Sequence, residues 1–468
     1  MGGSNSYNLT FADAITTALT VDASAAASLT FDATGDTTTA FTITGSAGND
    51  TITGGGEADT FNMAGGGSDT VHGNGGNDVF NFGTSFNGGD NVDGGTGSDT
   101  LEFGIAGDFG VPSISDANIS HVETLILDTT GNLNTLSIFG DLTTGGGTLS
   151  IQTNETQFFD VDLTNATTGL FNFTDNGPGH DGVLFAGNFN VGDHLSATEG
   201  ATLFPSDNLS LDGDYTGANA LVFTDSTISG FGGISLRGGS FDITLTDANI
   251  TGAGLDIDAT NLTSGTDTVT LDDTAETSST LFFDGGAGND VVKAGAGSAL
   301  LDGWAGNDQL SGNGHDLFDG GAGTDTITIN TANSVGVTVE YKAVSDSTAA
   351  SGSTAPVIDT VSGVDFDNIY FAVFDAMGGN AVGAIDGPIS GTLNSSAVGD
   401  SLSTDIGSNL GAYDALLFTS TGAGSYEQNH VFLVVDCNGT AGYQAGSDLV
   451  IDVTGYTGTL TTGVFYSH

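Results

Sequence analysis

GSAGNDTIT, GGGEADTFN, MAGGGSDTVH, GNGGNDVFN, FGTSFNGGDNVD and GGTGSDTLE are the successive units of Gly45–Glu102. Their aspartates stand at Asp50, Asp59, Asp69, Asp78, Asp90 and Asp99, mostly nine residues apart. Each follows a glycine-rich turn and lies two places before an apolar residue: Ile52, Phe61, Val71, Phe80, Val92 and Leu101. A turn, a carboxylate and one inward side chain at a fixed period describe a coil. One unit buries nothing alone, so only stacked neighbours make a core. Glycine gives the turn φ values that other residues avoid. A second series fills residues 284–330, with Asp290, Asp308, Asp316 and Asp325. There Ala299 replaces an expected aspartate, and the Asp308 to Asp316 spacing is one residue short; in the first series the Phe82–Asp93 unit is long.

These units resemble the nonapeptide G-G-x-G-x-D-x-U-x, with U apolar, of repeats-in-toxin (RTX) arrays. The resemblance implies calcium, a hard cation that takes six to eight oxygen ligands, backbone carbonyls included. It also implies that each ion lies between turns on the same side, so that Asp50 shares with Asp69 and Asp59 with Asp78. The metal ligands expected are therefore Asp50, Asp59, Asp69, Asp78, Asp90, Asp99, Asp290, Asp308, Asp316 and Asp325. Stacked carboxylates about 5 Å apart repel by about 3 kcal/mol at an effective dielectric near 20, so metal and folding should be coupled.

Outward from the arrays the same rhythm continues. LTFADA, LTVDAS and LTFDAT, with Asp13, Asp22 and Asp32, read as solenoid turns without the calcium glycines. Residues 29–50 align without a gap to residues 269–290, nine of twenty-two positions being identical at an offset of 240. The entry block and the array that follows it are thus duplicated. Short strands separated by Gly, Asn, Asp and Thr fill the middle of the chain. From Ala332 the rhythm breaks: residues 344–357 read as a linker or long loop, and Val431–Val435 with Leu449–Val453 as a hairpin. Its loop offers Asp436, Asn438 and Asp448 either to calcium or to a metal-free turn. The expected organisation is entry strands over 1–44, a first array over 45–102, solenoid with a duplicated entry block over 103–283, a second array over 284–330, and a β domain over 331–468. The fold class is all-β: a right-handed parallel β-solenoid, or β-roll, with a C-terminal β-rich domain.

Charge narrows the function. Fifty-eight acidic residues face three basic ones, Arg237, Lys293 and Lys342, for a formal −55. Nucleic acid is excluded as a partner, because phosphate binding needs lysine and arginine. No apolar run is long enough to span a membrane. One cysteine, Cys437, permits no internal disulfide. No H-E-x-x-H or G-x-S-x-G occurs, and the histidines (His72, His121, His180, His194, His315, His430, His468) form no ligand pair, so the expectation is not an enzyme. Most of the histidines are expected to be exposed loop residues, with His72 and His315, inside the arrays, in a position to crowd a calcium turn. ISHVETLIL (119–127) resembles an element of calcium-dependent surface-layer proteins and large secreted adhesins, and the closing DLVIDVTGYTG resembles the carboxy-terminal ends of Caulobacter-type surface-layer proteins. That resemblance implies export by the type I route without a cleaved amino-terminal signal, an extracellular, cell-surface location and self-association into a lattice. A filament or adhesin is the alternative. Lipopolysaccharide or a surface glycan, held through calcium, is the further partner class.

Overall fold

The computed structural model describes residues 5–12, 16–104, 114–128, 134–143, 146–154, 159–167, 169–176, 181–190, 192–197, 207–224, 227–246, 254–277, 279–313, 315–330, 336–349, 356–373, 376–393, 397–422 and 426–466. Asp13, His180 and His468 lie outside them. The chain is a parallel β-solenoid. Two compact units divide it: residues 1–212 with 225–233, and residues 213–224 with 234–468. Each contains one aspartate array.

In the first unit, successive strands alternate between sheets, so a coil is two short strands and two turns. Ser28–Gly35, Thr51–Thr53, Thr70–His72, Asn91–Asp93 and Ile119–Ser120 stack in one sheet, and Phe41–Thr44, Thr60–Asn62, Val79–Gly83, Thr100–Phe103 and Thr124–Leu127 in another. Register aligns Phe31, Ile52, Val71, Val92 and Ile119 in one column, and Ile43, Phe61, Phe80, Leu101 and Leu125 in the opposite one. All are buried. A three-residue strand such as Thr60–Asn62 points a single side chain inward, which is why each unit needs one apolar residue and no more. The Phe61 and Phe80 rings stack at 4.9 Å. The long Phe82–Asp93 unit is absorbed by a bulge that buries Phe86 between Phe82 and Phe103.

The second unit repeats the scheme, with Leu255–Asp258, Thr280–Asp284, Ser298–Asp302, Leu317–Asp319 and Val337–Glu340 in one sheet. Its other sheet runs in parallel from Phe241–Thr244 to Thr360–Ser362. It then meets Leu449–Asp452, beyond which Val431–Val435 and Ala415–Ser420 pair antiparallel. The hairpin is present, with Val435 opposite Leu449, and Ala415–Ser420 is a third strand that the sequence reading did not name. A helix, Val398–Ile406, covers this end with Val398, Leu402 and Ile406 fully buried. Its apolar residues recur every four positions, a helical period too short to register against a β-rich background. Closing the last coils with a packed cap hides strand edges that invite aggregation.

Residues 344–357 are not a free linker in their described part. Ser347 and Ala349 are fully buried, Ser347 Oγ donates to Val450 O at 2.6 Å, and Tyr443 Oη donates to Ala349 O at 2.9 Å. Among the described residues no helix is long and apolar enough to cross a membrane.

Candidate metal centre

The array aspartates form ladders. In the first unit the backbone N–H of Asp50 donates to Asp69 Oδ1 at 2.9 Å, and that of Asp69 to Asp90 Oδ1 at 2.8 Å. On the other side Asp59 donates to Asp78 Oδ1, and Asp78 to Asp99 Oδ1, both at 2.7 Å. In the second unit Asp290 donates to Asp308 Oδ1 at 2.7 Å and Asp308 to Asp325 Oδ1 at 2.8 Å. Asp316 stands apart: its Oδ1 accepts from Ala299 N at 2.9 Å, so the missing carboxylate leaves the backbone rung intact. All ten side chains are buried, and Asp50 and Asp69, like Asp59 and Asp78, are neighbours across adjacent coils.

One oxygen of each aspartate is thus fixed by the coil before it. In eight of the ten the second points toward the first glycine of its own turn; the units of Asp69 and Asp90 carry Ala64 and Ser85 there instead. A Cβ on Gly303 would lie 2.5 Å from Asp308 Oδ2 and 2.7 Å from the carbonyl of Gly320, one coil on. At Gly285 the same point is 2.9 Å from Asp290 Oδ2 and 2.5 Å from Gly303 O. Gly54 and Gly73 repeat the arrangement with Asp59, Asp78 and the carbonyls of Gly73 and Gly94. The first glycine is therefore a requirement of space. The glycine at the fourth position of the unit is a requirement of backbone angle, with φ of 146° at Gly306 and 156° at Gly323. The short Asp308–Asp316 spacing moves the first glycine one place closer, to Gly312, and keeps the approach to Asp316 Oδ2.

Several of these second oxygens, those of Asp78, Asp99, Asp308, Asp316 and Asp325, are buried without a hydrogen-bond partner. A buried unpartnered carboxylate oxygen is costly. Burial pushes Asp59, Asp99 and Asp290 up to about 6, Asp69, Asp78, Asp316 and Asp325 to about 7, and Asp308 to about 8. For Asp308 the charges of Asp325 and Asp290 add to burial. Burial also raises Asp90. Among the described residues no three His, Cys, Asp or Glu side chains form a metal-holding group. The donor set is carboxylate oxygen with backbone carbonyl, all oxygen, which suits calcium and not a thiolate- or imidazole-seeking metal. These residues fit calcium. When bound, it supplies the positive charge that lets neighbouring carboxylates stay ionised in a buried turn.

The ladders run past the arrays read from sequence. Asp99 N donates to Glu123 Oε2 at 2.9 Å, and Asp325 N to Asp359 Oδ1 at 2.8 Å. Asp359 is fully buried, and burial holds it well above its ordinary range. The signal was an acid one place before a strand: Glu123-Thr124-Leu125 and Asp359-Thr360-Val361 match Asp99-Thr100-Leu101. A second ladder, of asparagine, was also missed: Ser68 N donates to Asn49 Oδ1 at 3.0 Å, and Asn307 N to Asn289 Oδ1 at 2.7 Å. The histidines do not crowd the turns. The half-exposed His72 ring lies 3.6 Å from Asp93, and His315 is exposed. Asp436 and Asp448 come together in the hairpin loop and accept backbone N–H groups of Asn438, Gly439, Cys437 and Gln444.

The model of the RTX calcium-binding nonapeptide repeat matches this chain in four copies, at residues 42–62, 63–87, 282–310 and 306–327. The chain therefore carries RTX repeats in two groups, the mark of a calcium-binding, secreted-type protein. No curated protein matches the chain.

Proposed function

We propose that this chain is a calcium-folded structural protein of the bacterial exterior, a surface-layer subunit whose solenoid packs against copies of itself. The observation that carries this reading is the set of three buried aspartate ladders. Such a fold is weak where calcium is scarce and sets where calcium is plentiful, which suits a protein exported before it assembles. The charge supports the same reading. In the second unit Asp258, Asp284, Asp302, Asp319 and Glu340 stand in register along one sheet, and Lys342 reaches Asp302 at 2.9 Å and Asp319 at 2.7 Å. Acidic faces of this kind repel one another until divalent ions bridge them. The proposal assigns catalysis to no residue; the buried Cys437 thiol, pushed up to about 12 by burial, is a poor nucleophile.

One feature favours the adhesin reading. An open groove of about 450 Å³ in the first unit is lined by Ser150, Gln152, Asn172, Thr174, His194 and Ser196, with no carboxylate, on a chain otherwise dense in them. A neutral polar groove suits a sugar chain. Electron microscopy of the purified protein with calcium separates the two: a two-dimensional lattice supports the surface layer, whereas monomers or fibres that bind glycan support the adhesin.

A further inference from the structure

Asp36 lies in the turn between Ser28–Gly35 and Phe41–Thr44, one coil before the first array and outside every matched repeat. Its side chain is wholly buried. Oδ1 accepts the N–H groups of Thr38 at 3.0 Å and Thr39 at 2.9 Å, and Oδ2 has no partner. A local turn therefore uses half of this carboxylate and leaves the other half buried and unanswered. The backbone carbonyl of Asp36 faces the next coil, accepting Gly56 N at 2.9 Å and lying 2.7 Å from where Gly55 would carry a Cβ.

The neighbour on that coil is Asp59, the first rung of its ladder. Its Oδ1 accepts Phe41 N at 2.7 Å, and its Oδ2 accepts Gly55 N at 2.8 Å. The charge of Asp36 adds to burial in raising the Asp59 carboxyl. Inside the array, each turn faces a coil that offers a glycine carbonyl and a further aspartate. Asp59 meets such a coil on one side only; the coil before it lacks the nonapeptide, and Asp36 is the acid that coil provides.

The turn recurs at the 240-residue offset. Glu276 takes the place of Asp36 and is equally buried. Its Oε1 accepts Thr277 N at 2.9 Å and Ser279 N at 2.7 Å, and its carbonyl accepts Ala296 N at 2.7 Å, as Asp36 O accepts Gly56 N. Here the residue equivalent to Asp59 is Ala299, and a buried Asp273 stands where the first unit has Ala33. The carbonyls of Asp273 and Glu276 both close on Gly295, the equivalent of Gly55. Two buried acids therefore mark the entrance of each array, drawn from different positions.

We propose that Asp36, with Asp59, binds a calcium ion that caps the entrance of the first array, and that Glu276, with Asp273, does the same for the second. This rests on the calcium reading of the arrays and adds two ions that the nonapeptide motif does not count. A cap of this kind fixes the coil on which the array stacks.

The test is calcium uptake by the full chain, measured by equilibrium dialysis, for the wild type, Asp36→Asn, Glu276→Gln and the surface control Asp214→Asn. Asparagine keeps an oxygen for Thr38 and Thr39 and removes the charge. Each cap variant is expected to bind one ion fewer than wild type while keeping its sheet circular dichroism in saturating calcium, and Asp214→Asn to bind as wild type does. Unchanged stoichiometry in Asp36→Asn overturns the proposal. So does loss of its fold in saturating calcium, which would make Asp36 a turn-forming residue only. A wild-type chain that takes up no calcium sinks the calcium reading as a whole, and this proposal with it.

Discussion

Each array aspartate meets two opposed demands. Its Oδ1 is fixed by a backbone N–H of the coil before it, while its side chain is buried, and in Asp78, Asp99, Asp308, Asp316 and Asp325 the Oδ2 has no hydrogen-bond partner. Protons and calcium are the two ways out, and they compete. Folded-state values of about 6 to 8 lie above the ordinary 3.8, so the metal-free fold holds more protons than the unfolded chain in between. The stability these groups lend the metal-free protein is therefore fully present below about 3.8 and lost as pH rises through about 6 to 8. In chelator, the arrays should keep more sheet near pH 5 than near pH 8; circular dichroism at the two pH values checks this. Calcium affinity should move the opposite way, falling on acidification because binding displaces protons. Glycine gives a second residue-scale test. Gly73→Ala places a methyl closer than 3.0 Å to Asp78 Oδ2, whereas a Cβ on Gly88, in the same array, meets nothing within 4 Å. The first should cost about 1–3 kcal/mol, read as a higher calcium midpoint, and the second should stay within about 0.5 kcal/mol. That aspartate, glycine and apolar residue act together was legible in the sequence because their spacing is the coil itself. Which glycine serves space and which serves φ was not, since both are written G.

At the scale of elements, three-residue strands have no stability of their own. Thr60–Asn62 is held by register and by its one inward ring, Phe61, which stacks on Phe80 of the five-residue strand Val79–Gly83. Phe80→Ala should cost about 3–5 kcal/mol and shift the calcium midpoint upward; a calcium titration followed by circular dichroism reads both. The duplication at 240 residues is visible in hydrogen bonds as well as in letters. Leu29 N donates to Asp50 Oδ1 and Val269 N to Asp290 Oδ1, each at 2.7 Å. Asp359, Ser347 and the helix Val398–Ile406 escaped sequence reading for one cause: their partners are distant. Asp359 follows Asp325 by 34 residues in the ladder, so no nonapeptide period reaches it. Ser347 looks like linker because its partner, Val450, is 103 residues away. The helix Val398–Ile406 is amphipathic only over two turns, and what its apolar face covers is set by strands before and after it.

For the whole molecule, a formal −55 sets the conditions under which it can fold and associate. Repulsion among exposed carboxylates is screened by any salt, but the buried ladders answer only to an ion that enters the turns. Sodium chloride should therefore change association without replacing calcium in folding, which light scattering and circular dichroism on one sample separate. Composition made nucleic acid an unexpected partner; it could not reveal that the acids divide into buried ladders and a largely half-buried row along one sheet. The claim beneath all of this is that calcium folds the arrays. Far-ultraviolet circular dichroism of the full chain near pH 8, with calcium, after chelation and after calcium is restored, tests it directly. The account predicts strong sheet signal with calcium, a large loss in chelator and full recovery; an unchanged spectrum across all three would contradict it.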